Sequence, residues 1–338
     1  MKKYSRLFYL FPIILIFCLQ ISKADYLTDE KREFFLLTEN YLFNDKFSQA
    51  DSLVTLFTDN SPDDPGGYMM KASMMLSNSS DKEENIYGES FLKILDSIYI
   101  FTEQKLKNCD DTTAAWMYLF RGHARIYHSL YEARFGSGFS ALKLAYKAKG
   151  NYENGLKRYK LYDLYMGLGG FHYWKSVKAG LLRTIGLFSN DKKKGIEELY
   201  LARDSSVISC YSSLNALIWI WMNEKKYDSS ITACEELLGY FPDGKLFRWA
   251  LAKSYLDIGN YPKAIEQYKY LREKLSQEPG NYYNLIECDY NLYLLYKKSK
   301  NELEIDKIVE LFFKYDDKIP ESIRDRQKDK IKKFEKLQ

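Results

Sequence analysis

The stretch LIWIWMNEKKYDSSITACEELLGYFP, beginning at Leu217, returns 34 residues later as LAKSYLDIGNYPKAIEQYKYLREKLS, beginning at Leu251. The shift superposes Leu217 on Leu251, Ile218 on Ala252, Trp221 on Tyr255, Tyr227 on Tyr261, Ser230 on Ala264 and Leu237 on Leu271. Within each copy apolar residues recur at three and four spacing on either side of a polar turn, NEKKY or DIGNY, so each copy reads as two helices. A unit of this size cannot bury both apolar faces alone. It is stable when stacked on copies of itself, with small residues where helices cross closely. Near the N-terminus, NYLFNDKFSQADSLVTLFTDNSPDDP places Phe47, Ala50, Val54, Phe57 and Pro62 at the offsets of Tyr227, Ser230, Cys234, Leu237 and Pro242. Copies near both ends predict a repeat that runs through most of the chain.

This helix–turn–helix period resembles the tetratricopeptide repeat. The likeness is carried most specifically by WALAKSYLDIGNYPKAIEQYKYL. There Ala252 is the small first-helix residue, Tyr255 the aromatic beside it and Gly259 the turn, while Tyr261, Ala264 and Tyr268 face inward from the second helix. The resemblance implies an all-α fold, a right-handed α-α superhelix of about seven units. These are expected near 31–63, 66–107, 112–150, 155–206, 209–242, 244–278 and 281–318, irregular over 66–206 and regular over 209–318. After Pro320 a charged segment keeps only Ile323, Ile331, Phe334 and Leu337 as apolar contacts, which suits a capping helix over 320–337.

The first 24 residues stand apart. Lys2, Lys3 and Arg6 precede an apolar run to about Leu19, and Ser22-Lys23-Ala24 offers small residues at a cleavage site, so residues 1–24 read as a secretory signal peptide cleaved after Ala24. The run is shorter than a membrane span and is interrupted by Pro12. Phe17 before Cys18 does not suit a lipoprotein signal. Export predicts a periplasmic or cell-envelope location. The leader's Lys2, Lys3, Arg6 and Lys23 account for the whole formal charge of +4, leaving 46 basic and 46 acidic residues beyond it. A balanced chain with interleaved signs argues against a nucleic-acid partner. Beyond Cys18, Cys109, Cys210, Cys234 and Cys288 have no CxxC spacing, and one disulfide among them stays open.

GLGGFHYWKS, residues 167–176, concentrates three glycines and His172. A phosphate-cradling loop follows a strand and opens a helix. Here Leu161, Leu164, Tyr165 and Leu168 recur at helical spacing before the glycines, which places them inside a helix, with Gly169 at the small close-contact position of a repeat. The next helix begins near Asp191, about 14 residues late for a short repeat turn. The extra stretch carries Leu181, Leu182, Ile185 and Phe188 on one helical face. It is a candidate contact element for a partner, or for peripheral membrane contact through 177–190, and the competing expectation folds it back onto the neighbouring unit.

Catalytic and cofactor motifs are absent from the sequence: there is no HExxH, CxxC or Gly-x-Ser-x-Gly, and His123 and His128 do not share a helical face. Glu197-Glu198 and Glu235-Glu236 read as solvated faces. The repeat resemblance implies a non-enzymatic scaffold that binds a protein or peptide on its concave face, as similar repeats do in bacterial envelope assembly. No cofactor is expected. First-helix positions Asn215, Arg248, Lys253 and Tyr282 are the candidate groove contacts. The alternative is a helical envelope protein that binds or hydrolyses glycans, for which an open superhelix speaks against and a closed ring with clustered carboxylates speaks for.

Overall fold

The computed structural model describes residues 26–178 and 189–337. They form seven helix pairs and a C-terminal cap, with no strand among the described residues. The pairs are α1 (Asp29–Phe43) with α2 (Phe47–Asn60), α3 (Pro65–Asp81) with α4 (Glu89–Leu106), α5 (Asp111–Phe135) with α6 (Gly138–Arg158), and α7 (Leu164–Lys178) with α8 (Lys192–Ser205). There follow α9 (Cys210–Asn223) with α10 (Tyr227–Tyr240), α11 (Lys245–Asp257) with α12 (Tyr261–Ser276), and α13 (Tyr282–Lys298) with α14 (Glu302–Phe313). Each helix packs chiefly on its sequence neighbours, and first helices also touch the first helices of the next pair. The fold is a tetratricopeptide-like α-solenoid.

The repeated small residues do what the period requires. Ala50, Ser230 and Ala264 stand at one offset in three units and are completely buried, as are Ala252 and Ser254 on the facing helix of one of them. Ser230 and Ser254 hydroxyls meet at 3.0 Å across that crossing, so even the polar member is satisfied. Tyr255 is buried beside them and Tyr261 half-buried against the same core. Turns between paired helices pass through the left-handed region at Asp45, Glu83, Lys225, Gly259 and Lys300. Gly259, at φ 79°, is the one of these five that adopts it without a Cβ penalty.

The glycines of the fourth unit mark a close backbone approach. A Cβ on Gly169 would lie 2.6 Å from the Gly195 carbonyl oxygen, and one on Gly195 would lie 2.6 Å from the Gly169 carbonyl oxygen. Gly167 makes room for the Tyr152 ring instead, while Gly170 meets nothing within 4 Å. Two apolar cores, one over Tyr26–Leu168 and one over Tyr173–Phe334, hand over within α7 at this side-chain-free contact.

Three expectations are corrected. The helical run read through Leu161 breaks at Tyr159–Asp163, because Asp163 is fully buried and accepts hydrogen bonds from the Val207 and Ile208 amides at 3.0 and 2.9 Å and from the Ser209 hydroxyl. Glu198 is not on a solvated face: α8 turns it against α7, where it is 2.6 Å from His172 Nδ1 and buried. The cap is two short helices, α15 (Glu321–Arg326) and α16 (Lys328–Glu335), anchored by buried Ile323, Ile331 and Phe334, with Phe334 stacked on Phe312 at 4.4 Å and Leu337 left exposed. Cys210, Cys234 and Cys288 are free thiols. Leu181, Leu182, Ile185 and Phe188 lie outside the described residues, as does the leader over residues 1–24.

The solenoid closes on itself. The α1–α2 turn docks on the α10–α11 turn, with Phe43 edge-on to Phe241 and Phe247 at 5.1 and 5.2 Å. Gly244 sits so near that a Cβ there would be 2.5 Å from the Phe43 carbonyl oxygen. Asn44 accepts from the Asp243 amide at 3.2 Å. Gly244, the N-cap of α11, has no side chain to cap the helix, and Asp45 does so from across the seam, accepting the Lys245 amide at 2.7 Å. One pair further along, Asn284 donates to the Asp81 carbonyl, Asn281 donates to the Asp81 carboxylate at 3.1 Å, and Arg326 donates to the Glu83 carbonyl at 2.6 Å.

Candidate binding cavity

Closure turns the concave face of the superhelix into a cavity of about 480 Å³. Its wall is supplied almost wholly by first helices, one face from each. α1 presents Phe35, Glu39, Leu42 and Phe43, and α3 presents Met69, Met70, Ser73, Leu76, Ser77 and Ser80, both at helical spacing. α5 adds His123 and Tyr127, α7 adds Met166, α9 adds Ser212 and Trp219, α11 adds Leu246 and Trp249, and α13 adds Asn284 and Glu287. Methionine thioethers and large aromatic faces make an adaptable apolar wall, and the size lies within the usual range of ligand sites.

Several titratable groups inside this wall are shifted by burial. Burial holds the Glu39 carboxyl up at about 7, against the Ser212 hydroxyl, which donates to Glu39 Oε1 at 2.5 Å and lowers it, and with Asp163 adding to the rise. Burial also pushes His123 down to about 4, so at neutral pH the ring is uncharged, its Nδ1 3.0 Å from the Tyr152 hydroxyl. Tyr127, beside Ser73 and 3.8 Å from the Met69 sulfur, is raised by burial.

At the seam that borders the cavity, Lys245 is buried to 2% exposure and gathers the carboxylates of Asp81, at 3.0 Å, and Glu278. Asp45 is raised to about 7, by burial first and by Asp81 and Glu278 in part, with Lys245 opposing. Lys245 itself is held above the ordinary lysine value: burial lowers it, and the charges of Asp81, Asp45 and Glu278 together outweigh that.

None of the four first-helix groove candidates lines this cavity. Asn215 accepts from the Trp219 indole at 3.3 Å, and it is Trp219, one turn on, that reaches the wall. Arg248 is held by Gln267 at 3.0 Å and the Pro242 carbonyl, with its guanidinium 3.6 Å over the Tyr270 ring, while the next residue, Trp249, faces inward. Tyr282 stacks on Tyr315 in the last unit, two residues before the lining Asn284. Lys253 is exposed and pairs with Asp257 at 3.3 Å. His123 and Met166 carry no local signal, since each lies in the irregular stretch 66–206, and Glu39 lies just before the stretch whose offsets match in the first copy.

Among the described residues no three of His, Cys, Asp and Glu are grouped to hold a metal ion, and no helix is long and apolar enough to cross a membrane. No family model and no curated protein matches the sequence. Among solved structures the chain is similar to a Rap protein complexed with competence and sporulation factor, at 10% identity and a TM-score of 0.49 over 91% of this chain and 80% of that one.

Proposed function

We propose that this protein is a non-enzymatic interaction module that takes a short peptide, or an extended segment of a protein partner, into the cavity enclosed by its first helices. The observation that carries this reading is the composition of that wall: Met69, Met70, Met166, Trp219 and Trp249 offer apolar and aromatic surface, interleaved with serines, carboxylates and Asn284. Such a surface suits alternating side chains of an extended segment, with the polar groups fixing register. Filling the space should therefore abolish capture without unfolding the chain. Ser73→Trp, a half-buried wall position, tests it: an unchanged melting temperature with loss of peptide binding supports the reading, and retained binding overturns it.

The leader-like residues 1–24 support export to the cell envelope as part of the same proposal. A second reading, a glycan-binding or glycan-hydrolysing protein, is favoured by the closed ring and by Trp219 and Trp249 sharing a cavity with Glu39, whose carboxyl titrates near 7. Oligosaccharide binding lost in Trp249→Ala, with no peptide captured, would favour it over the first.

A further inference from the structure

The cavity wall carries an unbalanced charge. Five carboxylates line it, Glu39, Asp45, Asp81, Glu83 and Glu287, and no lysine or arginine does among the described residues. Four of the five are compensated from behind. Asp81 pairs with Lys245, which also lies close enough to Asp45 to lower its carboxyl; Glu83 has Arg134 and Arg326, and Glu287 has Lys330. Glu39 differs. It is only 8% exposed, it is hydrogen-bonded by the neutral Ser212, and the charged group acting most strongly on it is Asp163, of its own sign. Phe35, one turn before it on α1, and the aromatic faces of Tyr127 and Trp219 line the same space.

A buried carboxylate facing an apolar cavity without a counter-charge is costly to keep and is relieved by a cation delivered into that cavity. Aromatic walls favour the same ligand group, through the attraction between a cation and a ring face and through contact with an alkyl stem. We infer that the cavity recognises a peptide bearing one lysine or arginine among apolar residues, with Glu39 as the counter-charge, Ser212 fixing the carboxylate's orientation and Tyr127 and Trp219 enclosing the stem.

This rests on the peptide-binding reading, and the test separates the two. A random seven-residue phage-displayed library is selected on the full chain, with the Ser73→Trp variant used to discard peptides that bind elsewhere. Enriched sequences are synthesised with their basic residue and with norleucine or citrulline in its place. The expected result is a single Lys or Arg within an apolar consensus. Glu39→Gln should then weaken the basic peptide roughly tenfold or more, as for loss of a charge-assisted contact, and leave the neutral analogue's affinity unchanged. A consensus without a basic residue, or equal binding to the wild type and Glu39→Gln, overturns the inference while peptide binding stands. Selection of no peptide that Ser73→Trp rejects overturns both.

Discussion

Replacing Glu39 by glutamine is expected to stabilise the protein at neutral pH. Burial places the Glu39 carboxyl at about 7 in the folded chain against 4.5 for the exposed group. A folded-state value above the unfolded one means that the folded state holds the proton more tightly. Below pH 4.5 both states are protonated and there is no penalty; as the pH rises towards 7 the unfolded state alone ionises and folding weakens. Above 7 the cost is constant, at about 3 kcal/mol for a displacement of this size. Glutamine matches the protonated acid in shape, still accepts from Ser212 and has no charge to desolvate. The stability difference between Glu39→Gln and the wild type should therefore climb from near zero at pH 4 to about 3 kcal/mol at pH 8. Urea unfolding of both proteins at each pH measures it, and taking the difference cancels Asp45 and Asp289, whose carboxyls are raised by burial to about 7 and about 6. A flat difference, or a wild type more stable at pH 8, would show that Glu39 is solvated or paired with a cation, and the case for a missing counter-charge would fall with it.

Gly169→Ala should cost about 1–3 kcal/mol, because its Cβ would meet the Gly195 carbonyl oxygen at 2.6 Å, whereas Gly170→Ala, in open space on the same helix, should gain about 0.5–1 kcal/mol; thermal unfolding of the pair reads the contrast. Lys245→Met should cost about 3–5 kcal/mol, since it strands the Asp81 and Glu278 carboxylates at the seam, and small-angle scattering should show an enlarged radius of gyration as the ring opens. If residues 1–24 are a leader, intact mass of the exported chain should correspond to a start at Asp25, and a mass that retains Met1 would refute cleavage.

The solenoid was legible in the sequence because stacking imposes the same demand at the same offset in unit after unit. Ala50, Ser230 and Ala264 are small for one shared reason, that each is completely buried where two helices cross. Boundaries in the middle were not legible because non-local bonds set them. Nothing in KRYKLYDLYM announces that the helix stops before Leu161. It stops because Asp163 is needed by amides 44 and 45 residues further on. The lining of the cavity was not legible for a third reason: a frame uncertain by one or two positions picks out a neighbouring side of the helix. Arg248 and Trp249 are adjacent, and a single step turns the prediction from the wall to the back of α11.

Ring closure is the feature that local pattern hides most completely and that changes the function most. Asp45 and Lys245 are 200 residues apart, yet one caps the helix that the other begins. An open superhelix would leave Glu39 on a solvated concave face, with an ordinary carboxylate value and little to recognise. Closing the ring buries that carboxylate, raises it, and surrounds it with aromatic and thioether surface, so affinity for a cation arises from the seam as much as from Glu39. The seam itself is built from turns, with Phe43 seated against Phe241 and Phe247 and the remainder polar, whereas helix pairs are joined along whole apolar faces. Buried apolar contact decides which part of a structure yields first. The seam is therefore where opening is expected first, and the network around Lys245, which holds that seam, helps to set the dielectric in which Glu39 would meet its ligand.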